Sequence, residues 1–303
     1  MRNDDAVAID LEDLRAFLAV AELGGFTRAA ERLRSSKARV STRVGALEAE
    51  LGTRLFTRTT RAVHLTPDGE TLVVRARRVL REVDDLASLV QGAGGARGLV
   101  RVDAPVMFAR ERLIPQLPEL LAAHPQLELV LHTSDRRVDV VRDGYDCVLR
   151  IGTLGDSGLV ARRLGTLPMV NVASPAYLLR HGTPRTLEAL ASHVVVHYGG
   201  GAPCFDYVEG GRNVEHPMRA TLTVDGVDAY YAAAIAGLGI IQVPRLGARA
   251  ALAEGRLVEL LPEHVPPSLP VSIVHAQGRS PPRRVRVVMA WIAQCVTPHV
   301  DPV

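Results

Sequence analysis

Basic side chains are concentrated in one segment of the sequence, residues 26–62. This segment holds nine basic and three acidic residues, a net charge of +6, whereas the whole chain of 303 residues carries 36 Lys and Arg against 33 Asp and Glu, a net charge of +3. The rest of the chain therefore sums to −3. A positive charge confined to one segment is typical of a surface that binds nucleic acid phosphates. The basic side chains are Arg28, Arg32, Arg34, Lys37, Arg39, Arg43, Arg54, Arg58 and Arg61.

Two helices are predicted to come before most of these cations. Apolar residues at i, i+3, i+4 and i+7 from Leu14 to Ala21 predict the first helix, and Gly24-Gly25 ends it. Thr27 is predicted to cap a second, short helix over residues 28–33.

A third helix is predicted to read DNA. Either Ser35 or Ser36 can cap it, and it runs to about Leu51. One stripe of this helix is apolar and predicted to be buried: Val40, Val44, Leu47 and Leu51. The residues that point away from the stripe are small, polar or basic: Ala38, Arg39, Thr42 and Ala46, with Lys37 and Arg43 on the flanks. Such a face suits the major groove of DNA, where hydroxyls and Arg contact base edges and flanking cations contact phosphates.

Two short alternating segments, residues 55–59 and 62–66, predict a hairpin whose tip would place Arg58 and Arg61 along the DNA backbone or minor groove. The alternative is a solvated basic face on a small helical domain. The candidate DNA-binding residues are Thr27, Ser36, Lys37, Ala38, Arg39, Ser41, Thr42, Arg43, Arg54, Arg58 and Arg61.

A long helix is predicted to follow, because Thr66-Pro67-Asp68 combines a capping hydroxyl, a proline at the first helical position and a carboxylate. Its apolar residues repeat at spacings of 4 and 3 and form a heptad seam, which pairs with a second copy or packs onto the same chain. Four glycines within residues 92–98 predict a hinge. The seam residues are Leu72, Ala76, Val79, Val83, Leu86 and Val90.

Beyond the hinge, strands and helices alternate, which predicts an α/β domain with a mainly parallel sheet. Strands are expected over 99–104, 127–133 and 147–151, with a short helix at 138–142. Ligands of such sheets bind beyond the carboxyl ends of the strands. A second series of elements runs from about 165 to 261, and the last strand and helix are expected to return to the first half.

The candidate ligand-binding residues lie at these strand ends or at the helix start after Asp225-Gly226, where backbone N–H groups could bind an anion. Arg150 is the best charged partner for an anionic ligand, and a structural ion pair with a nearby carboxylate is its alternative role. The candidates are Val106, Met107, Thr133, Ser134, Arg150, Ile151, Asp225, Gly226 and Val227.

Several motifs resemble LysR-type transcriptional regulators. The N-terminal ones are Phe26-Thr-Arg-Ala-Ala-Glu-Arg-Leu33, Val40-Ser41, Ala46-Leu-Glu48, Leu51-Gly52, Arg54-Leu-Phe56, Arg58-Thr59 and Leu65-Thr-Pro-Asp-Gly69. The C-terminal ones are residues 134–144, Asp146, Arg150-Ile-Gly152, Leu159-Val-Ala-Arg-Arg-Leu164, Ser174-Pro-Ala-Tyr177 and Ala236-Gly-Leu-Gly-Ile240. At the recognition helix, Lys37 stands where the family often has Gln and Thr42 where it often has Arg, so no operator sequence carries over. Met107 replaces a frequent Ser or Thr.

The resemblance implies an α+β multidomain protein: an N-terminal winged helix-turn-helix (1–66), a linker helix and hinge (67–98), and a two-lobed effector domain similar to periplasmic solute-binding proteins (99–303). The first lobe would comprise about 99–164 and 268–303, and the second about 165–267. It further implies a regulator that binds double-stranded promoter DNA as a dimer or tetramer, contacts RNA polymerase, and responds to a small-molecule inducer such as an organic or aromatic acid.

Other classes of function are disfavoured by the sequence. No phosphate-binding loop, dinucleotide fingerprint, nucleophile elbow or metal-spaced His pair is present, so an α/β enzyme with an accessory DNA-binding domain is a distant alternative. Cys147, Cys204 and Cys295 lack metal or disulfide spacing, and a redox-responsive regulator using Cys204 is a second alternative. With no membrane-spanning stretch and no signal peptide in its acidic start, the protein is expected to be cytoplasmic, with no metal or cofactor and no membrane partner.

Overall fold

The computed structural model describes residues 9–58, 63–90, 95–136, 138–155, 158–276 and 281–302. The chain divides into two compact units. The first comprises Met1–Gly94 with Val141–Gly144, and the second comprises Gly95–Val140 with Tyr145–Val303. Among the described helices, none is both long and apolar enough to cross a membrane.

The N-terminal unit is a three-helix domain with a two-stranded hairpin and a long C-terminal helix. Its elements are α1 (Leu11–Leu23), α2 (Phe26–Arg32), α3 (Lys37–Leu51), β1 (Phe56–Arg58), β2 (Val63–Leu65) and α4 (Pro67–Val90). The core forms because the apolar stripes of α1 and α3 face each other, with Phe56 from β1 inserted among them. The ring of Phe56 lies 5.4 Å from that of Phe17 and 6.0 Å from that of Phe26, measured between centroids.

The start of α4 is fixed as predicted. The Thr66 hydroxyl oxygen accepts a hydrogen bond from the Gly69 N–H at 3.0 Å and its O–H donates to the Arg54 carbonyl at 2.7 Å. Gly69 must lack a side chain because a Cβ there would lie 2.2 Å from the Leu55 carbonyl oxygen. The long helix is therefore anchored on the hairpin that precedes it.

The first turns of α4 pack on their own chain. Ala76 is buried in the core of the N-terminal unit, and Leu72 packs against it. The predicted heptad seam is therefore used within the chain at these two positions. Val79 is 44% exposed, and the side chains of Leu86 and Val90 lie outside the described ones, so pairing with a second copy stays a prediction for the C-terminal half of the helix. Residues 92–94 of the predicted hinge also lie outside the described residues.

The second unit contains two lobes. The first lobe is built on a five-stranded sheet of order β4-β3-β5-β14-β6. Its strands are β3 (Gly98–Ala104), β4 (Leu127–Thr133), β5 (Cys147–Ile151), β6 (Leu159–Leu167) and β14 (Leu269–Ala276). Its helices are α5 (Val106–Phe108), a π-helical turn (Ala109–Leu113), α6 (Ile114–Ala123), α10 (Arg283–Val296) and a 3-10 turn (Thr297–His299), and α6 and α10 cover the apolar face of the sheet.

The second lobe combines three small sheets and three helices. Its strands are β7 (Met169–Ala173), β8 (Val194–Tyr198), β9 (Cys204–Glu209), β10 (Arg212–Pro217), β11 (Arg219–Val224), β12 (Ile241–Pro244) and β13 (Val258–Leu260). Its helices are α7 (Pro175–His181), a 3-10 turn (Glu188–Ser192), α8 (Val227–Ile235) and α9 (Arg245–Ala253). The sheets have the orders β12-β7-β13, β11-β8 and β10-β9.

One detail of the predicted fold is wrong and one has an exception. The three strands on which the parallel sheet was predicted, β3, β4 and β5, are parallel, whereas β14 pairs antiparallel with β5 and β6. The reason is that β14 returns to the first lobe from the second one, so it is not the product of a β-α-β crossover. Residues 138–142 form turns and irregular backbone in place of the predicted helix. The expected return of the last strand and helix to the first half is confirmed.

Candidate nucleic-acid interface and effector crevice

The third helix exposes the face predicted to read DNA. Val40, Val44 and Leu47 are buried in the domain core, whereas four residues on the other side are exposed. These four, Lys37, Ala38, Arg39 and Thr42, are called the reading face. Ser41 is half-buried beside it. The face combines two cations, a hydroxyl and a methyl, the groups that contact base edges and phosphates in a major groove.

The N-terminus of α3 is capped by Ser36, whose hydroxyl accepts the Arg39 N–H at 3.2 Å. Within the helix, the Thr42 hydroxyl donates to the Ala38 carbonyl at 3.0 Å, which leaves its methyl and its lone pairs on the exposed side. Thr27 does not cap α2 as predicted: the capping position is Gly25, and Thr27 is the second residue of the helix, with its side chain exposed.

Arg43 is engaged within the domain. Its guanidinium lies 2.9 Å from the Asp13 carboxylate and 3.7 Å from that of Asp10, both near the start of α1. The side chains of Arg43 and Asp13 are 26% and 15% exposed. Arg43 therefore joins α3 to α1. Its guanidinium, which was predicted to contact a DNA phosphate, is paired with carboxylates of its own domain.

The hairpin is attached to α3 by Glu48. Its carboxylate accepts the backbone N–H of Leu55 at 2.8 Å and that of Phe56 at 3.3 Å. The strands pair Phe56 with Leu65 and Arg58 with Val63, as the alternation predicts. Arg54 is exposed beside the hairpin. The side chain of Arg58 and the whole of Arg61 lie outside what the structure describes.

The second candidate site lies at the carboxyl ends of β3, β4 and β5, opposite Asp225 in the second lobe; we call it the effector crevice. At its rim, the Asp135 carboxylate accepts the Val106 N–H at 3.2 Å and the Ser134 hydroxyl accepts the Arg136 N–H at 3.1 Å. Thr133 is exposed at the end of β4, and Ile151 is half-buried against the first-lobe core. These two hydrogen bonds fix the loops after β3 and β4.

Arg150 forms an ion pair with a buried carboxylate. Its Nη1 lies 3.0 Å from Oδ2 of Asp103 on the neighbouring strand β3, and its Nη2 donates to the Val138 carbonyl at 3.3 Å. Arg150 is 13% exposed and Asp103 is 0% exposed. Burial raises the pKa of Asp103, and the guanidinium opposes that rise. The structural ion pair, one of the two roles predicted for Arg150, is therefore present.

Met107 lies where the two lobes meet. A Cβ placed on Gly247 of the second lobe would be 3.0 Å from the Met107 sulfur and 2.6 Å from the Tyr231 hydroxyl. That hydroxyl is buried without a hydrogen-bond partner among the described residues. The absence of a side chain at Gly247 thus leaves room for both the Tyr231 hydroxyl and the Met107 thioether.

Two ion pairs span the lobes. Arg136 Nη2 lies 2.5 Å from Asp225 Oδ2, and Arg110 Nη1 lies 3.4 Å from Asp228 Oδ1. Gly226 occupies the capping position of α8 and Val227 is its first residue, as predicted. However, Asp225 and Asp228 place two carboxylates at this helix start, and these oppose an anion bound to its N–H groups.

All three cysteines lie in environments that raise the pKa of a thiol. Cys147 and Cys295 are buried and Cys204 is half-buried. Burial raises the pKa of Cys204 to about 11, with a further contribution from its hydrogen bond to Asp206, and burial raises that of Cys295 to about 11. A redox-sensing thiol needs a lowered pKa, so these environments do not favour one. Among the described residues, no cluster of three or more His, Cys, Asp or Glu is arranged to hold a metal ion.

Sequence reasoning missed Asp103, Asp135 and Tyr231 as parts of the crevice. Asp103 carried a usable signal, because a carboxylate in the otherwise apolar end of the strand 99–104 must find a cation. Asp135 and Tyr231 carried no such signal, since the residue beside each in the crevice, Val106 for Asp135 and Gly247 for Tyr231, is distant in sequence.

Two family models match the chain. One, described as "Bacterial regulatory helix-turn-helix protein, lysR family", matches residues 11–70, and the other, described as "LysR substrate binding domain", matches residues 93–296. Together they cover the elements that carry the reading face and the effector crevice.

The chain is also similar to whole proteins with these parts. It is 43% identical over 293 residues to the uncharacterized HTH-type transcriptional regulator YhjC of Escherichia coli (strain K12), covering 95% of this chain and 98% of the relative. It is 32% identical over 289 residues to an HTH-type transcriptional repressor of Pseudomonas aeruginosa (strain UCBPP-PA14), covering 94% and 91%. Its structure resembles that of CrgA, a LysR-type transcriptional regulator from Neisseria meningitidis, with a TM-score of 0.58, 29% identity and coverage of 93% and 97%.

Proposed function

The chain belongs to the LysR family of DNA-binding transcriptional regulators, which carry an effector-binding domain. From this premise we propose which of its residues bind DNA and which bind the effector. The reading face of α3 contacts base edges in the major groove, and Arg54 and the hairpin contact phosphates. The observation that carries this proposal is the exposure of Lys37, Ala38, Arg39 and Thr42 on a helix whose other face is buried.

Arg39 is the residue that we assign to base reading. It is the third residue of α3, its side chain is exposed, and its own N–H is held by the Ser36 cap, which fixes the helix start that would enter the groove. An arginine that contacts a guanine edge discriminates between bases, whereas one that contacts a phosphate does not.

The test compares Arg39→Ala with the wild type on promoter DNA and on random DNA at the same salt. We expect a loss of about 1–3 kcal/mol in the free energy of binding to the specific site and a much smaller loss on random DNA. Equal losses on both DNAs would contradict base reading by Arg39. Arg219→Ala, which removes an exposed arginine of the second lobe, is the matched control and should change neither affinity.

In the effector domain, we propose that a small organic acid binds in the effector crevice, close to Arg150, and biases an existing equilibrium between arrangements of the regulator. The support is the position of Arg150 at the end of β5 together with its remaining N–H donors. The test measures the affinity of the wild type and of Arg150→Met for promoter DNA, each with and without candidate acids. A response that survives this substitution unchanged would contradict the assignment.

We further propose a cytoplasmic protein without enzymatic activity that acts as a dimer or tetramer and contacts RNA polymerase. Two linked DNA-binding modules gain affinity because the second binds at high effective concentration. Sedimentation of the full chain with and without promoter DNA tests the oligomeric state, and a monomer on DNA would contradict it.

A further inference from the structure

Asp103 has one carboxylate oxygen that the protein does not use. Oδ2 pairs with Arg150 at 3.0 Å, whereas Oδ1 is buried without a hydrogen-bond partner in the described part of the chain. The residue itself is 0% exposed. A buried acceptor without a donor is costly, and a ligand that brings a donor relieves that cost.

Arg150 retains N–H donors beyond those used in the pair. Nη1 contacts Asp103 and Nη2 contacts the Val138 carbonyl, but a guanidinium has further N–H groups beyond these two. The guanidinium can therefore still bind a carboxylate from outside, while Asp103 holds it in a fixed orientation.

The pair lies just below the rim of the effector crevice. Asp103 is the residue before the last one of β3 and Arg150 the residue before the last one of β5, both of which end at the crevice. Asp135, which accepts the Val106 N–H at the rim, is close enough for its charge to affect Asp103. An acceptor and a set of donors thus lie side by side near the strand ends that border the crevice.

We propose that Asp103 is the specificity-determining residue of the crevice and selects 2-hydroxy or 2-amino acids over unsubstituted acids. This inference rests on the proposed effector site at Arg150. The ligand carboxylate binds the free N–H groups of Arg150, and the hydroxyl or ammonium group on the adjacent carbon donates to Oδ1 of Asp103. An acid without that group leaves Oδ1 unpaired.

The test uses two matched sets of probes, lactate, alanine and propionate, and mandelate, phenylglycine and phenylacetate. Calorimetric titration of the full chain should give affinities about tenfold or more higher for the hydroxy or amino member than for the unsubstituted acid in at least one set. Equal affinities within both sets, or no binding by any of the six, would overturn the proposal.

Two variants of Asp103 sharpen the result. Asp103→Ala removes the acceptor, and the preference should fall to less than about twofold. Asp103→Asn keeps the shape and presents an amide N–H₂ where Oδ1 was, so the 2-amino acids should lose their preference while a hydroxyl, which can also accept, keeps part of its own. A preference for amino acids that survives in Asp103→Asn would contradict the proposal even if Asp103→Ala failed to fold.

Two controls separate this inference from the proposed function. Glu254→Gln removes an exposed carboxylate at the C-terminal end of α9 and should leave all affinity ratios unchanged. Binding of the same preparation to promoter DNA reports on the regulator itself. If the acids fail to bind but an acid-independent affinity for DNA remains, the selectivity proposal fails and the DNA-binding function stands.

Discussion

The two candidate sites differ in the surroundings of their cationic side chains. On the reading face, Lys37 and Arg39 are exposed, and Arg54 is exposed beside the hairpin. At the effector crevice, Arg110, Arg136 and Arg150 each lie within 4 Å of a carboxylate of the second unit. A surface for a long polyanion gains from unpaired cations, because each contact releases counterions. A site for one small ligand gains from fixed geometry, which paired charges provide.

The largest effect on stability is expected at the buried ion pair of Arg150 with Asp103. Arg150→Met leaves the Asp103 carboxylate buried without its cation, and we expect a loss of about 3–5 kcal/mol in the free energy of unfolding of the second unit. Urea denaturation followed by circular dichroism measures it. The double substitution Asp103→Leu with Arg150→Met should recover most of the loss, since it removes both charges together. If the single variant were as stable as the wild type, the pair would not be the structural contact that its burial indicates.

A smaller effect should separate the two kinds of arginine within the N-terminal unit. Arg54→Ala removes an exposed cation, so the slope of log affinity against log salt should fall by about one unit, with the melting temperature unchanged. Affinity measured by fluorescence anisotropy at several salt concentrations gives the slope. An unchanged slope would remove Arg54 from the phosphate contacts.

Arg43→Ala should have the opposite pair of effects, a lower stability and a nearly unchanged salt slope. Because Arg43 pairs with Asp13 in a partly buried position, its loss should cost about 1 kcal/mol of stability in the N-terminal unit and leave the salt slope nearly constant. Thermal unfolding and the same salt series measure the two quantities. A full unit of change in the slope, with no loss of stability, would return Arg43 to the DNA-binding surface.

The contrast between these arginines also marks what the sequence could predict. Apolar spacing located α3, its buried stripe and its exposed face, because each follows from local periodicity alone. The partner of Arg43 lies 30 residues away, and that of Arg150 lies 47 residues away, so no local pattern could identify either one. Helix and strand positions were therefore predictable in the N-terminal unit and for the first strands of the second unit, whereas the ion-pair partner of each arginine depended on the tertiary fold.

The same reason explains where the fold departs from the prediction. Strands that alternate with helices predicted the parallel pairing of β3 with β4 and β5, but the antiparallel direction of β14 is set by its return from the second lobe, which is a property of the whole topology. Thr27 satisfied the residue preference for a cap, yet Gly25 occupies the capping position and the helix begins at Phe26, whose ring lies in the core beside Phe56. The start of α2 is therefore set by core packing and not by the local preference of Thr for a capping position.

The smallest effect is expected at the ion pairs that span the lobes. Arg136 and Asp225 are 77% and 74% exposed, so water and salt screen their attraction, and Arg136→Ala should change the stability of the second unit by less than about 1 kcal/mol. The substitution should instead alter the response to an effector, because the pair contributes only when the lobes are close together. A calorimetric titration of Arg136→Ala with the tightest-binding probe should show an affinity lowered by a few-fold at low salt and equal to the wild type at about 1 M salt, where exposed charges are screened within about 3 Å. A loss that persists at high salt would mean that Arg136 contacts the ligand itself, and the crevice would then present an exposed cation to its ligand, as the reading face does with Lys37 and Arg39.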